Sequence, residues 1–200
     1  DDVQKAIDKL KGKLIIKYYP TRSATVNTLA SHLKQMEIQE IKPDAVIVDY
    51  ADILKPTTFY KEKRHATGET YENLRGIAGE FDIPIWTASQ ANRSSLEEDV
   101  IDATKVAEDY SKVMTADFVM SVSRKVEDKI ANTGRFHVIK NRFGIDGITF
   151  PANINTNTGL IEVYEASTQG GKEAQGKMDN SEEYLRQTLS KKYKDMGGFE

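Results

Sequence analysis

An α/β fold organised around a mostly parallel sheet is what this sequence predicts, and three observations predict it. Apolar, β-branched runs alternate with amphipathic stretches between residues 14 and 89, in the order strand, helix, strand, helix, strand. One of those runs, Ala45-Val46-Ile47-Val48, is apolar without interruption, the pattern of a strand covered on both faces. A chain of 200 residues is also long enough to bury one sizeable core.

Leu14-Ile15-Ile16-Lys17-Tyr18-Tyr19 reads as the first strand, ended by Pro20. Val26, Leu29, Leu33, Met36 and Ile41 then recur at helical spacing through a stretch free of Gly and Pro, which predicts a helix over 24–41. Pro43-Asp44 opens the second strand, Ala45–Tyr50. Lys55–Gly68 is polar and aperiodic, and reads as a mobile surface loop. A second helix follows from Glu69 to Phe81, burying Tyr71, Leu74, Ile77 and Ala78. Ile83–Ser89 and Ala116–Val122 are the third and fourth strands, with shorter ones at Phe136–Lys140 and Ile148–Phe150. Asn155-Thr156-Asn157-Thr158-Gly159 predicts a hairpin whose second arm is Leu160–Tyr164. Ala166–Asn180, rich in Gly, Gln, Ser and Lys, reads as a linker. A short helix to about residue 194 follows it, with Tyr184, Leu185 and Leu189 on one face; it is either a docking element for a partner or a frayed terminus.

Composition removes several classes of function. There is no cysteine, so disulfides and thiolate metal sites are excluded and a reducing compartment is expected. His32, His65 and His137 lack ligand spacing. No apolar run approaches the ~18 residues of a membrane span, and Asp1-Asp2-Val3-Gln4 does not resemble a secretion signal. The net charge of −3 confines any nucleic-acid contact to a local cluster or to a surface shared among subunits.

Three segments carry residues suited to chemistry. Val46-Ile47-Val48-Asp49 ends a strand on an acid, where ligands of parallel sheets bind; an Asp there can hold Mg²⁺ through water, or simply begin a turn. Gln90, within Ser89-Gln90-Ala91-Asn92-Arg93, can hydrogen-bond a γ-phosphate or its attacking water, or belong to a solvent-facing turn. Lys140 and Arg142, two apart on a strand, project to one side; they suit phosphate oxygens or the solubility of an edge strand.

Taken together, Val46–Tyr50, Ser89–Arg93, Thr115-Ala116-Asp117 and Lys140-Asn141-Arg142 resemble DnaB-type hexameric replicative DNA helicases, in order and in spacing. Similar strings occur in the replicative helicases of T-even-like phages. The resemblance covers residues 14–164. It implies a RecA-like P-loop NTPase core over 1–165 and a tail over 166–200. It implies an enzyme that uses ATP and Mg²⁺ at subunit interfaces to move along single-stranded DNA and unwind duplex. Asp49 would be the Walker B acid and metal ligand, Gln90 the γ-phosphate switch, and Lys140 and Arg142 the pair reaching into a neighbour's ATP site. The stretch 92–112 would line the DNA channel. Its acids Glu97, Glu98, Asp99 and Asp102 repel phosphate, which leaves Arg93, Lys105 and Lys112 as the DNA-contacting cations. Primase and a helicase loader would be partners, and the cytoplasm (a host's, for a phage protein) the location.

One family part is missing. No Gly-x-x-x-x-Gly-Lys-Ser/Thr occurs; the Gly-Lys pairs at 12–13, 171–172 and 176–177 sit in the wrong context. The resemblance places that loop, its strand and the water-activating glutamate upstream of Asp1. Without that strand, the slot between the strand ending at Gln90 and that of 116–122 is either open or closed by those two strands meeting. A recombinase-like RecA-fold ATPase and a non-catalytic oligomerisation or binding module of the same fold are the alternative readings.

Overall fold

The computed structural model describes residues 12–58, 63–91 and 110–180, together with residues 5, 9, 100, 101, 183, 186, 187 and 190. Two sheets are present among the described residues: a parallel pair β1–β2 and a four-stranded antiparallel sheet in the order β3-β4-β5-β6.

Helix α1 (Val26–Ile38) begins at a reciprocal cap. The Thr28 amide donates to Thr25 Oγ1 at 3.2 Å, and the Thr25 amide donates to Thr28 Oγ1 at 3.1 Å. Its apolar stripe, Val26, Leu33 and Met36, is buried against helix α2 (Lys63–Phe81) and the parallel pair, β1 (Val46–Val48) and β2 (Ile85–Thr87). Tyr71, Leu74 and Ile77 of α2 complete that core, with Ala51 and Ile83 at its margins. Pairing runs Val46 with Ile85 and Val48 with Thr87, so Val46, Val48 and Ile85 share the inward face. Ile47 and Trp86 point the other way and are 78% and 53% exposed. The expected cover on both faces of β1 is therefore present on one face only among the described residues.

The second half is an antiparallel meander. Strand β3 (Phe118–Ser123) follows the short helix α3 (Ser111–Thr115), and helix α4 (Val126–Ala131) leads into β4 (Thr133–Asn141). Strands β5 (Thr149–Asn155) and β6 (Leu160–Val163) form the hairpin read from Asn155–Gly159, with Gly159 at φ +71° as the turn requires. Phe136, Ala152 and Ile154 form its core. Strands β2 and β3 lie in different sheets, so the slot between them is not closed by pairing. They meet through an edge-on contact of Trp86 and Phe118, with ring centroids 6.0 Å apart.

Three segments depart from the sequence reading. Leu14–Tyr19 forms no strand, and Leu14, Ile16 and Tyr18 are largely exposed. High β-propensity makes a segment suited to a sheet, but a ladder needs a neighbouring edge, and none pairs with it among the described residues. Lys55–Gly68 is not wholly a loop: α2 starts at Lys63, and Ala66 and Thr70 are buried one turn apart, with Thr70 Oγ1 donating to the Ala66 carbonyl at 3.0 Å. Threonines on the inner face hid the helical period. Ala166–Asn180 is not a linker but contains helix α5 (Gln169–Asp179), capped by Thr168, whose Oγ1 accepts from the Gly171 amide at 3.1 Å. Gly171, Ala174 and Met178 make its inward stripe, and Gly171 lies so close to the Glu165 carbonyl that no Cβ would fit. The glycines that suggest a linker are there for close approach. Tyr184, Leu185 and Leu189 lie outside the described residues.

Candidate functional site

The parallel register brings the first two site residues to one edge. Asp49 directly follows β1 and Gln90 stands three residues past the end of β2, both exposed. Gln90 Nε2 makes a long hydrogen bond of 3.4 Å to the hydroxyl of Tyr50, the residue after Asp49. Thr87 stitches the two strand ends together: its hydroxyl donates to the Val48 carbonyl and accepts from the Ala51 amide, both at 2.9 Å. An exposed carboxylate and an exposed amide thus share the carboxyl end of the pair, where ligands of open α/β sheets bind.

Behind that edge lies a polar cluster that the sequence did not reveal. Asp52 accepts from the Tyr71 hydroxyl at 2.9 Å and the Ser89 hydroxyl at 2.9 Å, and its carboxylate lies 3.0 Å from the Lys112 ammonium. Lys112 Nζ also donates to Ser89 Oγ at 3.1 Å and sits over the Tyr71 ring, 5.6 Å from its centroid. Burial pushes the Tyr71 hydroxyl far above its usual range, and the Asp52 charge adds to the shift. Lys112, expected to contact DNA, is enclosed in this geometry. Its side chain is 4% exposed and already engaged with a carboxylate, so it holds the protein together rather than facing a phosphate backbone. The one hint in the sequence was Tyr71 itself, since a buried tyrosine needs a hydrogen-bond partner.

Lys140 and Arg142 project to the same side, as their spacing predicts, at the end of β4. Lys140 Nζ donates to the carbonyls of Val113 (2.9 Å) and Met114 (2.8 Å). Arg142 Nη1 donates to Asp117 Oδ1 at 3.0 Å, and its Nη2 to the Met114 carbonyl at 3.3 Å. These carbonyls lie at the C-terminal end of α3, so the cations also meet the negative end of a helix. Burial and the adjacent Arg142 hold the Lys140 ammonium below its ordinary pKa. A third cation, Arg75 of α2, was not anticipated. Its Nη1 donates to the Thr115 carbonyl at 2.6 Å and its Nη2 to the same Asp117 Oδ1 at 2.8 Å.

Two groups therefore form, Asp49 with Gln90 at the parallel pair and Lys140 with Arg142 at the antiparallel sheet. Among the described residues no hydrogen bond or ion pair joins them. Helix α2 touches both neighbourhoods through one face, since Tyr71 and Arg75 are four apart. Arg93 and Lys105, with Glu97, Glu98, Asp99 and Asp102, lie outside the described residues.

No cluster of three acidic or histidine side chains able to hold a metal occurs among the described residues. A lone exposed carboxylate suits Mg²⁺, which keeps most of its waters and takes one or two carboxylates together with substrate phosphates. Asp49 meets that requirement. The phosphate-gripping loop does not occur in the 200 residues, so the donors for a nucleotide are partial. No helix among the described residues is long and apolar enough to cross a membrane.

Known proteins share this sequence pattern and this fold. The model of the DnaB-like helicase C-terminal domain family matches residues 1–153. A DnaB-like replicative helicase of Enterobacteria phage T4 is 32% identical over 137 residues, covering 66% of this chain and 29% of that protein. Among solved structures, one ATPase domain superposes with a TM-score of 0.62 at 19% identity, over 71% of this chain and 52% of that one. A DnaB-like replicative helicase, described with its interactions with primase, gives 0.62 and 19%, over 71% of this chain and 35% of that one. The fold is thus that of helicase ATPase domains. The chain spans less than a third of the curated relative's length.

Proposed function

This chain belongs to the DnaB-like helicase C-terminal domain family, and from that premise we propose that it supplies part of the ATPase motor of a replicative DNA helicase. The complete protein would be a hexamer that hydrolyses ATP at its subunit interfaces, moves along single-stranded DNA and separates duplex. The observation that carries this reading is the shared strand edge of Asp49 and Gln90, an acid and an amide beside strand ends that Thr87 joins through Val48 and Ala51.

Each residue has a task set by its chemistry. The Asp49 carboxylate would hold a hydrated Mg²⁺, which would supply charge neutralisation to the nucleotide phosphates. Gln90, a neutral donor and acceptor, changes partner when the γ-phosphate leaves, and the segment that follows it carries that change toward DNA. Lys140 and Arg142 of one subunit face the triphosphate held by the next and stabilise charge that grows in the transition state. Arg93 and Lys105 are the cations proposed to follow the DNA backbone. A primase and a loader are the protein partners in view, and the cytoplasm, a host's for a phage protein, the place of action.

The reading is tested with the complete protein on a forked duplex. ATP-dependent strand separation is expected, and Gln90→Ala is expected to hydrolyse ATP at a basal rate that single-stranded DNA no longer stimulates, a loss of about tenfold. Normal DNA stimulation in Gln90→Ala would remove its role as the switch. Absence of unwinding by the wild-type protein would remove the helicase.

The 200-residue chain by itself is expected to release phosphate from ATP at the rate of a buffer blank. It lacks the loop that grips the phosphates, and preorganised positioning supplies most of the barrier reduction in phosphoryl transfer. Steady turnover by the purified chain would show that another element replaces the loop.

A further inference from the structure

We propose that Arg75 is a positioning residue for Arg142, acting through the carboxylate of Asp117 that both hold. The inference rests on the reading of Arg142 as a cation that serves the neighbouring subunit's nucleotide.

One oxygen, Asp117 Oδ1, accepts from two guanidinium groups: Arg75 Nη2 at 2.8 Å and Arg142 Nη1 at 3.0 Å. Arginine and a free carboxylate prefer the two-pronged fork, in which both oxygens are used. Arg142 is denied that fork. Its guanidinium holds the Asp117 carboxylate by a single nitrogen, and its other side-chain contact, to the Met114 carbonyl, is long at 3.3 Å, while its backbone amide donates to the Asp117 carbonyl at 2.9 Å. Arg75 has the shorter contacts, including 2.6 Å to the Thr115 carbonyl, and is fixed on a helix whose neighbouring turns are in the core. Arg75 is therefore the committed partner of Asp117, and Arg142 the loosely held one.

The charge count points the same way. Three cations (Arg75, Lys140 and Arg142) face one carboxylate, so the cluster keeps an excess of positive charge with which to meet a phosphate. Without Arg75, Asp117 is released to clamp Arg142 in a neutral pair within its own subunit. A triphosphate on the next subunit would then have to compete with that pair. Arg75 keeps Arg142 aligned without letting it be neutralised.

The test uses the complete oligomeric protein, with kcat and KM for ATP measured at saturating single-stranded DNA. Arg75→Gln is expected to lower kcat about tenfold with KM nearly unchanged, because the cation that Asp117 is then free to clamp matters to the transition state. Adding Asp117→Asn to Arg75→Gln is expected to restore most of the loss, since an amide cannot neutralise Arg142. A residue that merely braced α3 would show the opposite, because the second change strips one more contact. Arg75→Lys keeps the charge but not the paired donors that reach Thr115 and Asp117, and carries the same test with a smaller loss if Arg75→Gln fails to assemble by sedimentation. Full kcat in Arg75→Gln, or no recovery in the double variant, overturns the proposal when Arg142→Ala is itself severely impaired. An unimpaired Arg142→Ala enzyme overturns the underlying reading of the site, and this proposal with it.

Discussion

Replacing Arg142 by alanine in the complete protein is expected to lower kcat for ATP hydrolysis by about 10³-fold or more, the range typical of a cation supplied to a phosphoryl-transfer site from a neighbouring subunit. The side chain is 44% exposed and held by one shared carboxylate oxygen and one distant carbonyl. Exposed ion pairs of this kind are worth roughly 0–1 kcal/mol. Leaving Asp117 for a phosphate therefore costs Arg142 little, whereas the charge it meets in the transition state is concentrated and shielded from water. The same argument makes the variant's fold insensitive: thermal unfolding should move by no more than about a degree or two.

Mixing subunits separates action across an interface from action within one subunit. Arg142→Ala and Asp49→Asn proteins should each be inactive alone. When they are unfolded and reassembled together at equal amounts, about a quarter of the interfaces combine an intact Asp49 with an intact Arg142, and activity should return in that proportion. Recovery of this kind requires the two residues to meet only between subunits. If the mixture stays inactive while wild-type protein survives the same treatment, the trans assignment fails. The separation of the two groups within one chain makes the mixture informative, because Asp49 and Arg142 directly follow strands of different sheets.

Sequence patterns were legible wherever burial followed a single period. Val26, Leu33 and Met36 mark α1, and Tyr71, Leu74 and Ile77 mark α2, because each presents one apolar stripe to one core. The hairpin was legible from the Asn- and Gly-containing turn, where Gly159 takes the positive φ that turn demands. Reading failed where small or polar residues face inward. Ala66, Thr67 and Thr70 pack the first turns of α2 without an apolar signature, and Gly171 and Ala174 of α5 do the same. Leu14–Tyr19 shows the converse error, in which strong propensity marks a segment that has no partner edge among the described residues. Apart from Leu14–Tyr19, the runs read as strands are strands, but among the described residues β1–β2 is the parallel pairing and the others form a separate antiparallel sheet.

The candidate site divides along similar lines. Asp49, Gln90, Lys140 and Arg142 were visible because each stands at or just past the end of a recognisable strand, and strand ends are where such chemistry is placed. Arg75 and Asp52 were not. Both gain meaning from partners about 40 residues away, the distance from Arg75 to Asp117 and from Asp52 to Ser89 being fixed by folding and not by any local spacing. Lys112 is a similar case. In the sequence it stands beside a segment expected to line DNA, and the carboxylate beneath it is visible only in the fold.

That buried lysine leads to the second large effect. Lys112→Met should destabilise the fold by about 3 kcal/mol, because it leaves the Asp52 carboxylate in a mostly enclosed site without its cation. The two hydroxyl donors, Tyr71 and Ser89, remain and keep the loss from being larger. Asp52→Leu alone should cost a similar amount by stranding the ammonium, yet the two changes together should cost clearly less than their sum, with a coupling of about 2 kcal/mol in urea unfolding. Additive losses, each below about 1 kcal/mol, would mean that the pair behaves as an exposed one. Tyr71 adds a pH signature. Its hydroxyl is pushed up in the folded chain, so its contribution is fully present below the ordinary tyrosine value of about 10 and is lost as pH rises through the higher folded value. Tyr71→Phe should flatten that alkaline decline. The cluster also has a mechanical sense: Ser89 immediately precedes Gln90, and Lys112 closes the segment that leaves Gln90, so their 3.1 Å bond ties both ends of that segment to one carboxylate. Weakening it should loosen the connection between nucleotide and DNA before it loosens the sheet, so that Lys112→Met loses DNA-stimulated hydrolysis at temperatures where it is still folded.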